Sequence, residues 1–96
     1  MAGYFLALMD IEDKAGFENY VAAGYASLEP YGIELVSLDD EPDLLEGTDV
    51  GQHIVILKFA SKEKVREWYE SESYSRIKGL RQSSCKTLAF LALTGP

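Results

Sequence analysis

The sequence predicts one small α+β domain, a four-stranded antiparallel sheet carrying two helices on one face, and three observations predict it. The apolar periodicity switches between strand and helix spacing in the order βαββαβ. The 96 residues suffice for one compact domain and are too few for two. Three of the four strand segments are apolar at nearly every position rather than at alternate ones, so both faces of the sheet are expected to be covered.

Residues 4–9 form an aromatic and aliphatic run ended by Asp10, the first strand. Asp13 is a good N-cap, and after it Phe17, Tyr20, Val21, Gly24, Leu28 and Tyr31 recur at spacings of three and four, which makes one helix face. Gly24 within that face predicts close approach of the helix to the sheet. Pro30 and Gly32 stop the helix, and residues 33–38 read as a second strand leading into the acidic stretch 39–43. After a glycine turn over 47–51, His53–Phe59 is the segment densest in β-branched residues and reads as the third strand.

Ser61 caps a second helix whose Val65, Trp68 and Tyr69 share a face. Ser71 is a second N-cap that restarts this helix at a new angle, and Tyr74, Ile77 and Arg81 continue the stripe. Residues 87–93 form the last strand, closed by Gly95 and Pro96. This order folds most simply as the split βαβ, ferredoxin-like arrangement.

Two helices cover one face of such a sheet, and the other face is apolar too. A second copy packed sheet face to sheet face covers it most economically, so the expected state is a homodimer with a barrel-like core. A different partner chain or a more twisted monomer is the alternative. A chain this short buries only about 60–65% of its unfolded surface on folding, and association relieves that shortfall.

The composition, 47% hydrophobic and 26% charged, is that of a globular domain. Nine Lys and Arg stand against sixteen Asp and Glu, a net charge of -7 that repels phosphate backbones, so no nucleic-acid partner is expected. The longest apolar run is too short to span a bilayer and no basic segment precedes it, so neither a membrane span nor a signal peptide is expected. Cys85 is the sole cysteine, which excludes an internal disulfide and a cysteine metal cage from one chain. A reducing, cytoplasmic setting is the expectation.

Phe59-Ala60-Ser61, Trp68-Tyr69, Ser71, Tyr74 and Arg81, with an early tyrosine on the first strand and a Leu45-Glu46-Gly47 turn, form a pattern over nearly the whole chain. It resembles the domain of unknown function 1330 family: a strand ending in Phe-Pro-Ser, a helix with Trp-Tyr, a Ser-Pro-x-Tyr break, and an Arg seven residues after the Tyr. Ala60 and Glu72 stand where that family usually has proline. Glutamate suits a first helical turn as proline does, so Glu72 supports Ser71 as a cap. The resemblance implies the dimeric α/β-barrel superfamily, which includes cofactor-independent monooxygenases, muconolactone-type isomerases, haem-dependent enzymes and ligand-sensing domains. The fold does not choose among them.

Arg81 shares the Tyr74 and Ile77 stripe and therefore points toward the sheet, where it needs a partner. That partner is a carboxylate such as Glu67 or Glu70, helix-end carbonyls, or an anionic ligand. His53, the only histidine, opens the third strand and is a candidate general acid or base or a simple strand-end hydrogen bonder. Parity groups it with Val55, Leu57 and Phe59 without telling which set faces the helices. Tyr20, Tyr25, Trp68, Tyr69 and Tyr74 are either core or the wall of a helix–sheet cleft, Tyr20 and Tyr74 being the best placed for a polar task.

The His and carboxylate pairs of zinc or iron sites are missing, so no metal is expected, and haem-binding relatives place their histidine on a helix rather than a strand. No cofactor is expected. The acidic stretch from Asp39 to Asp49 lacks the spacing of an EF-hand and reads as a solvated loop. Lys86 beside Cys85 would lower its pKa if the thiol were exposed. No Gly-x-Ser-x-Gly elbow and no glycine-rich phosphate loop is present.

Two functions stay open. One is a homodimer with a cleft in each subunit where Arg81, His53, Tyr20, Trp68 and Tyr74 meet a small anionic or aromatic molecule, bound or converted without metal. The other is a non-enzymatic dimeric binding or assembly module that uses the acidic loop as its contact surface.

Overall fold

A computed structural model describes residues 1–96. Its elements are β1 (Gly3–Ile11), α1 (Lys14–Leu28), a 3-10 turn (Glu29–Tyr31), β2 (Glu34–Asp39), β3 (His53–Phe59), α2 (Lys62–Tyr69), α3 (Glu72–Ser75), α4 (Lys78–Ser84) and β4 (Cys85–Thr94). The four strands form one antiparallel sheet in the order β2-β3-β1-β4. This is the ferredoxin-like topology, with every helix on the same face.

The caps act where the sequence puts them. Asp13 accepts from the Gly16 amide at 3.2 Å and starts α1, and Gly32, at φ 56°, closes the 3-10 turn after it. Ser61 and Ser71 accept from Lys64 and Tyr74 amides, each at 3.2 Å, and start α2 and α3. The second helix breaks once more than the sequence predicts: Ile77 precedes α4 with no side-chain cap. An apolar residue that continues the buried stripe carries no boundary signal, so this break has no signature to read.

The core lies between the helices and one sheet face. Phe5, Ala7, Met9, Leu57 and Phe59 of the strands meet Phe17, Tyr20, Leu28, Val65, Trp68 and Tyr74 of the helices. Gly3 admits the start of α2 onto the sheet, since a Cβ there would stand 2.2 Å from the Ser61 carbonyl carbon. A register shift between Leu8 and Met9 leaves Leu88 unpaired on β4, and this bulge changes the strand's parity so that both Phe90 and Cys85 face the helices.

On the opposite face, Leu6 pairs with Ile56 and Leu91, Leu8 with Ile54, and Tyr4 with Leu93. Leu91 and Leu93 are each 42% exposed, so this apolar face is uncovered within one chain. No helix is long and apolar enough to cross a membrane.

Candidate functional site

A cleft of about 80 Å³ opens between α1 and the helix-bearing face of the sheet. Its walls are apolar: Phe5, Ala7, Met9 and Phe90 from β1 and β4, Val55 and Leu57 from β3, and Phe17, Val21 and Leu28 from α1, with Trp68 behind. Tyr25 and Leu38, each about half exposed, flank its mouth. Gly24 lines the cleft, and a Cβ on it would meet nothing within 4 Å. The expected close helix–sheet contact is therefore absent at Gly24, and the missing side chain instead keeps the cleft open.

Four of the lining side chains carry a polar atom: His53, Tyr20, Tyr25 and Trp68. His53 lies on the helix-facing side of β3, opposite Met9 and buried, with its ring edge-on to Phe17 at 5.1 Å between centroids. Its Nδ1 is held by Asp40, just beyond the end of β2. A carboxylate oxygen only accepts, so Nδ1 carries the hydrogen, and in the neutral ring this tautomer leaves the lone pair on Nε2. Asp40 thus belongs to the site and is not merely part of a solvated loop, although its side chain remains 70% exposed.

Tyr20 of α1 bonds hydroxyl to hydroxyl with Tyr74 of α3 at 2.7 Å, and Arg81 of α4 donates from Nη1 to the Tyr74 oxygen at 2.6 Å. Tyr74 is fully enclosed and accepts from Arg81, and where its own hydrogen goes to the Tyr20 oxygen the Tyr20 hydrogen is free to be donated onward. Burial pushes the pKa of both phenols up, and for Tyr20 the neighbouring Tyr74 adds to the effect. Both are therefore neutral donors at ordinary pH.

Arg81 is 4% exposed and stacks its guanidinium 4.2 Å from the Phe90 ring centre. The carboxylate partners expected for it are engaged elsewhere: Glu67 with Lys64 at 3.0 Å and Glu70 with Arg66 at 3.5 Å. No carboxylate pairs with Arg81, and its buried Nε has no hydrogen-bond partner. Trp68 is fixed by its Nε1, which donates to Ser27 Oγ at 3.0 Å, while Ser27 donates to the Gly24 carbonyl at 2.7 Å. Cys85 is buried against Met9, and that burial raises its thiol pKa, opposite to the lowering expected of an exposed thiol beside Lys86.

Of the residues singled out in the sequence, His53, Tyr20, Trp68 and Tyr25 reach the cleft together. Tyr74 and Arg81 stand one and two hydrogen bonds behind Tyr20, and Tyr69 lines a different groove. Asp40 figures in the sequence reading only within the acidic stretch, and Ser27 and Phe90 carry no functional assignment there. Asp40 had a usable signal, because an antiparallel β2–β3 hairpin that sets Asp39 opposite Ile54 brings the residue just after β2 beside His53. Ser27 and Phe90 carry no local signal of their own.

No curated protein matches the sequence. Among solved structures, the chain is similar to RPA0582, a protein of unknown function from Rhodopseudomonas palustris, at 15% identity and a TM-score of 0.80, covering 99% of this chain and 82% of that one. It is similar to SnoaB, a cofactor-independent oxygenase from Streptomyces nogalater, at 13% identity and a TM-score of 0.69, covering 99% and 93%. A dimeric ferredoxin-like protein of unknown function from Jannaschia sp. CCS1 matches at 14% identity and a TM-score of 0.69, covering 99% and 100%. These likenesses share the ferredoxin-like fold. Residues 2–95 match the model of the domain of unknown function DUF1330, and the chain belongs to that family.

Proposed function

We propose that the cleft deprotonates a small aromatic or enolisable molecule and holds the resulting oxyanion, using side chains of this chain alone. The observation that carries this reading is the pairing of His53 with Asp40 inside an apolar cleft that also receives Tyr20. His53 Nε2 takes the proton, Asp40 keeps the ring in the basic tautomer, and the electron pair left on the substrate moves to an oxygen facing the Tyr20 hydroxyl. Arg81 polarises that hydroxyl through Tyr74, so a cation enclosed without a carboxylate favours a negative charge in the cleft. Apolar walls select for an aromatic or otherwise carbon-rich body. One protein with this fold, SnoaB, is a cofactor-independent oxygenase, so the fold is compatible with catalysis that needs no cofactor.

The reading extends to a homodimer joined through the apolar sheet face of Leu6, Leu8, Ile54, Ile56, Leu91 and Leu93, supported by the exposure of that face and by the dimeric ferredoxin-like neighbour.

The test is deuterium wash-in. Enolisable aromatic ketones are incubated in heavy water with the protein, and the loss of the acidic C–H signal is followed by proton NMR. Exchange accelerated by the native chain and abolished in His53→Ala supports the reading. Equal exchange in both, or none in either across the series, sinks it.

A further inference from the structure

The sheet runs one strand past its helices: in β2 every residue but Ser37 is exposed. A bulge at Val36 brings its two leucines, three positions apart, to the same face, with Leu35 opposite Leu57 and Leu38 opposite Val55. Val55 and Leu57 both line the cleft, so Leu35 and Leu38 stand on the helix-bearing side, about 7 Å apart along the strand. They are 45% and 48% exposed. The sheet-face pairing of two copies uses the other face and leaves them open.

This pair extends the cleft in one direction. His53, Val55 and Leu57 follow one another along the cleft side of β3, so Leu38 and then Leu35 lead away from His53. The first helix runs the same way, from Phe17 beside His53 to the turn whose Tyr31 packs on Phe59, and its Tyr25 stands at the mouth. The cleft itself is small. Its 80 Å³ is about half of the roughly 150 Å³ cavity that encloses a benzene ring. An aromatic body with its acidic group at His53 therefore extends past the mouth, onto these three side chains.

We propose that the substrate is a ring bearing an unbranched carbon chain, with its acidic group at His53 and Tyr20 and its chain laid over Leu38 and Leu35 beside Tyr25. The strip is continuous with the cleft, and three side chains fall far short of the about 800 Å² per partner of a stable protein interface, so the occupant is the ligand's own chain rather than a protein. This rests on the cleft chemistry proposed above and adds the shape of the substrate.

Para-alkylphenols, from phenol to para-pentylphenol, are titrated calorimetrically into the full chain, with light scattering on the same samples. The dissociation constant is expected to fall about twofold per added methylene, half on a free-energy scale of the fourfold that complete burial gives. Leu35→Gln and Leu35→Thr, changed at an exposed position of the edge strand, are expected to bind phenol as the native chain does and to lose most of the gain with chain length. Leu45→Gln, at an exposed leucine of the β2–β3 loop, is expected to keep the native gain. Phenol binding with no gain along the native series overturns the chain site and leaves the cleft reading standing, whatever the variants do. An equal gain in native and Leu35 variants, or a gain lost equally in Leu45→Gln, does the same. A change of oligomeric state in the Leu35 variants assigns the strip to a second copy and overturns it too. No binding by any member of the series overturns both readings.

Discussion

Arg81 donates to the Tyr74 hydroxyl at 2.6 Å, and that neutral oxygen, not a carboxylate, is what meets the enclosed guanidinium. A charge so placed depends on each hydrogen bond it keeps. Tyr74→Phe removes the acceptor and leaves the cation short of a partner, at an expected cost of about 2–3 kcal/mol in urea unfolding. Combining it with Arg81→Met removes the stranded charge, so the double variant is expected to be more stable than the sum of the single effects by about 1 kcal/mol or more. Strict additivity would mean that the contact is energetically idle.

Asp40 separates function from stability. Its carboxylate is largely in water, so Asp40→Asn is expected to change the melting free energy by no more than about 1 kcal/mol. An amide in its place donates to Nδ1 and turns the lone pair away from the cleft, so proton exchange on the substrate is expected to fall by about 10²-fold or more. A stability loss with exchange intact would reduce Asp40 to a loop tether.

Gly24→Ala is expected to act in opposite directions on fold and binding. Alanine favours a helix interior over glycine by about 1 kcal/mol, and nothing stands within 4 Å of the new methyl group, so thermal unfolding should move upward. The methyl group projects into the cleft, so ligand affinity should fall, and Gly24→Leu should abolish binding while the chain still folds. Affinity unchanged in both variants would place the ligand elsewhere.

Tyr20 and Tyr74 predict an alkaline transition. Their pKa values are raised above the ordinary 10.0 in the folded state, so above that pH the unfolded chain holds fewer protons than the native one and stability falls as pH rises. Below it both forms are protonated and the two groups leave stability flat. Phenolate absorbance of the native protein should therefore show two tyrosines that ionise only as the fold is lost, and those two should vanish from the delayed fraction in Tyr20→Phe with Tyr74→Phe. All six titrating together would contradict the enclosed pair.

The element order, the caps at Asp13, Ser61 and Ser71, and the inward stripe of Tyr74 and Arg81 are legible in the sequence because each is a local signal within a few residues. The parity of His53 is equally legible, but its side of the sheet is not, since both faces of β3 are apolar. The partner of Arg81 is not legible in the same way, because Glu67 and Glu70 pair with Lys64 and Arg66 while the guanidinium meets Tyr74. The partner of His53 depends on a strand pairing with a bulge at Val36, a long-range register that periodicity alone does not fix.

The account turns on a hydroxyl polarised by Arg81 and aimed at an anion in the cleft, and a bound chromophoric phenol measures this without any turnover. Nitrophenols titrated with the protein are expected to ionise at lower pH when bound than when free, and the shift should shrink in Tyr20→Phe and in Arg81→Met. It should persist in His53→Ala, which removes the base but not the donor. A bound phenol that ionises at its free value, or at higher pH as in a plain apolar cavity, would contradict the account.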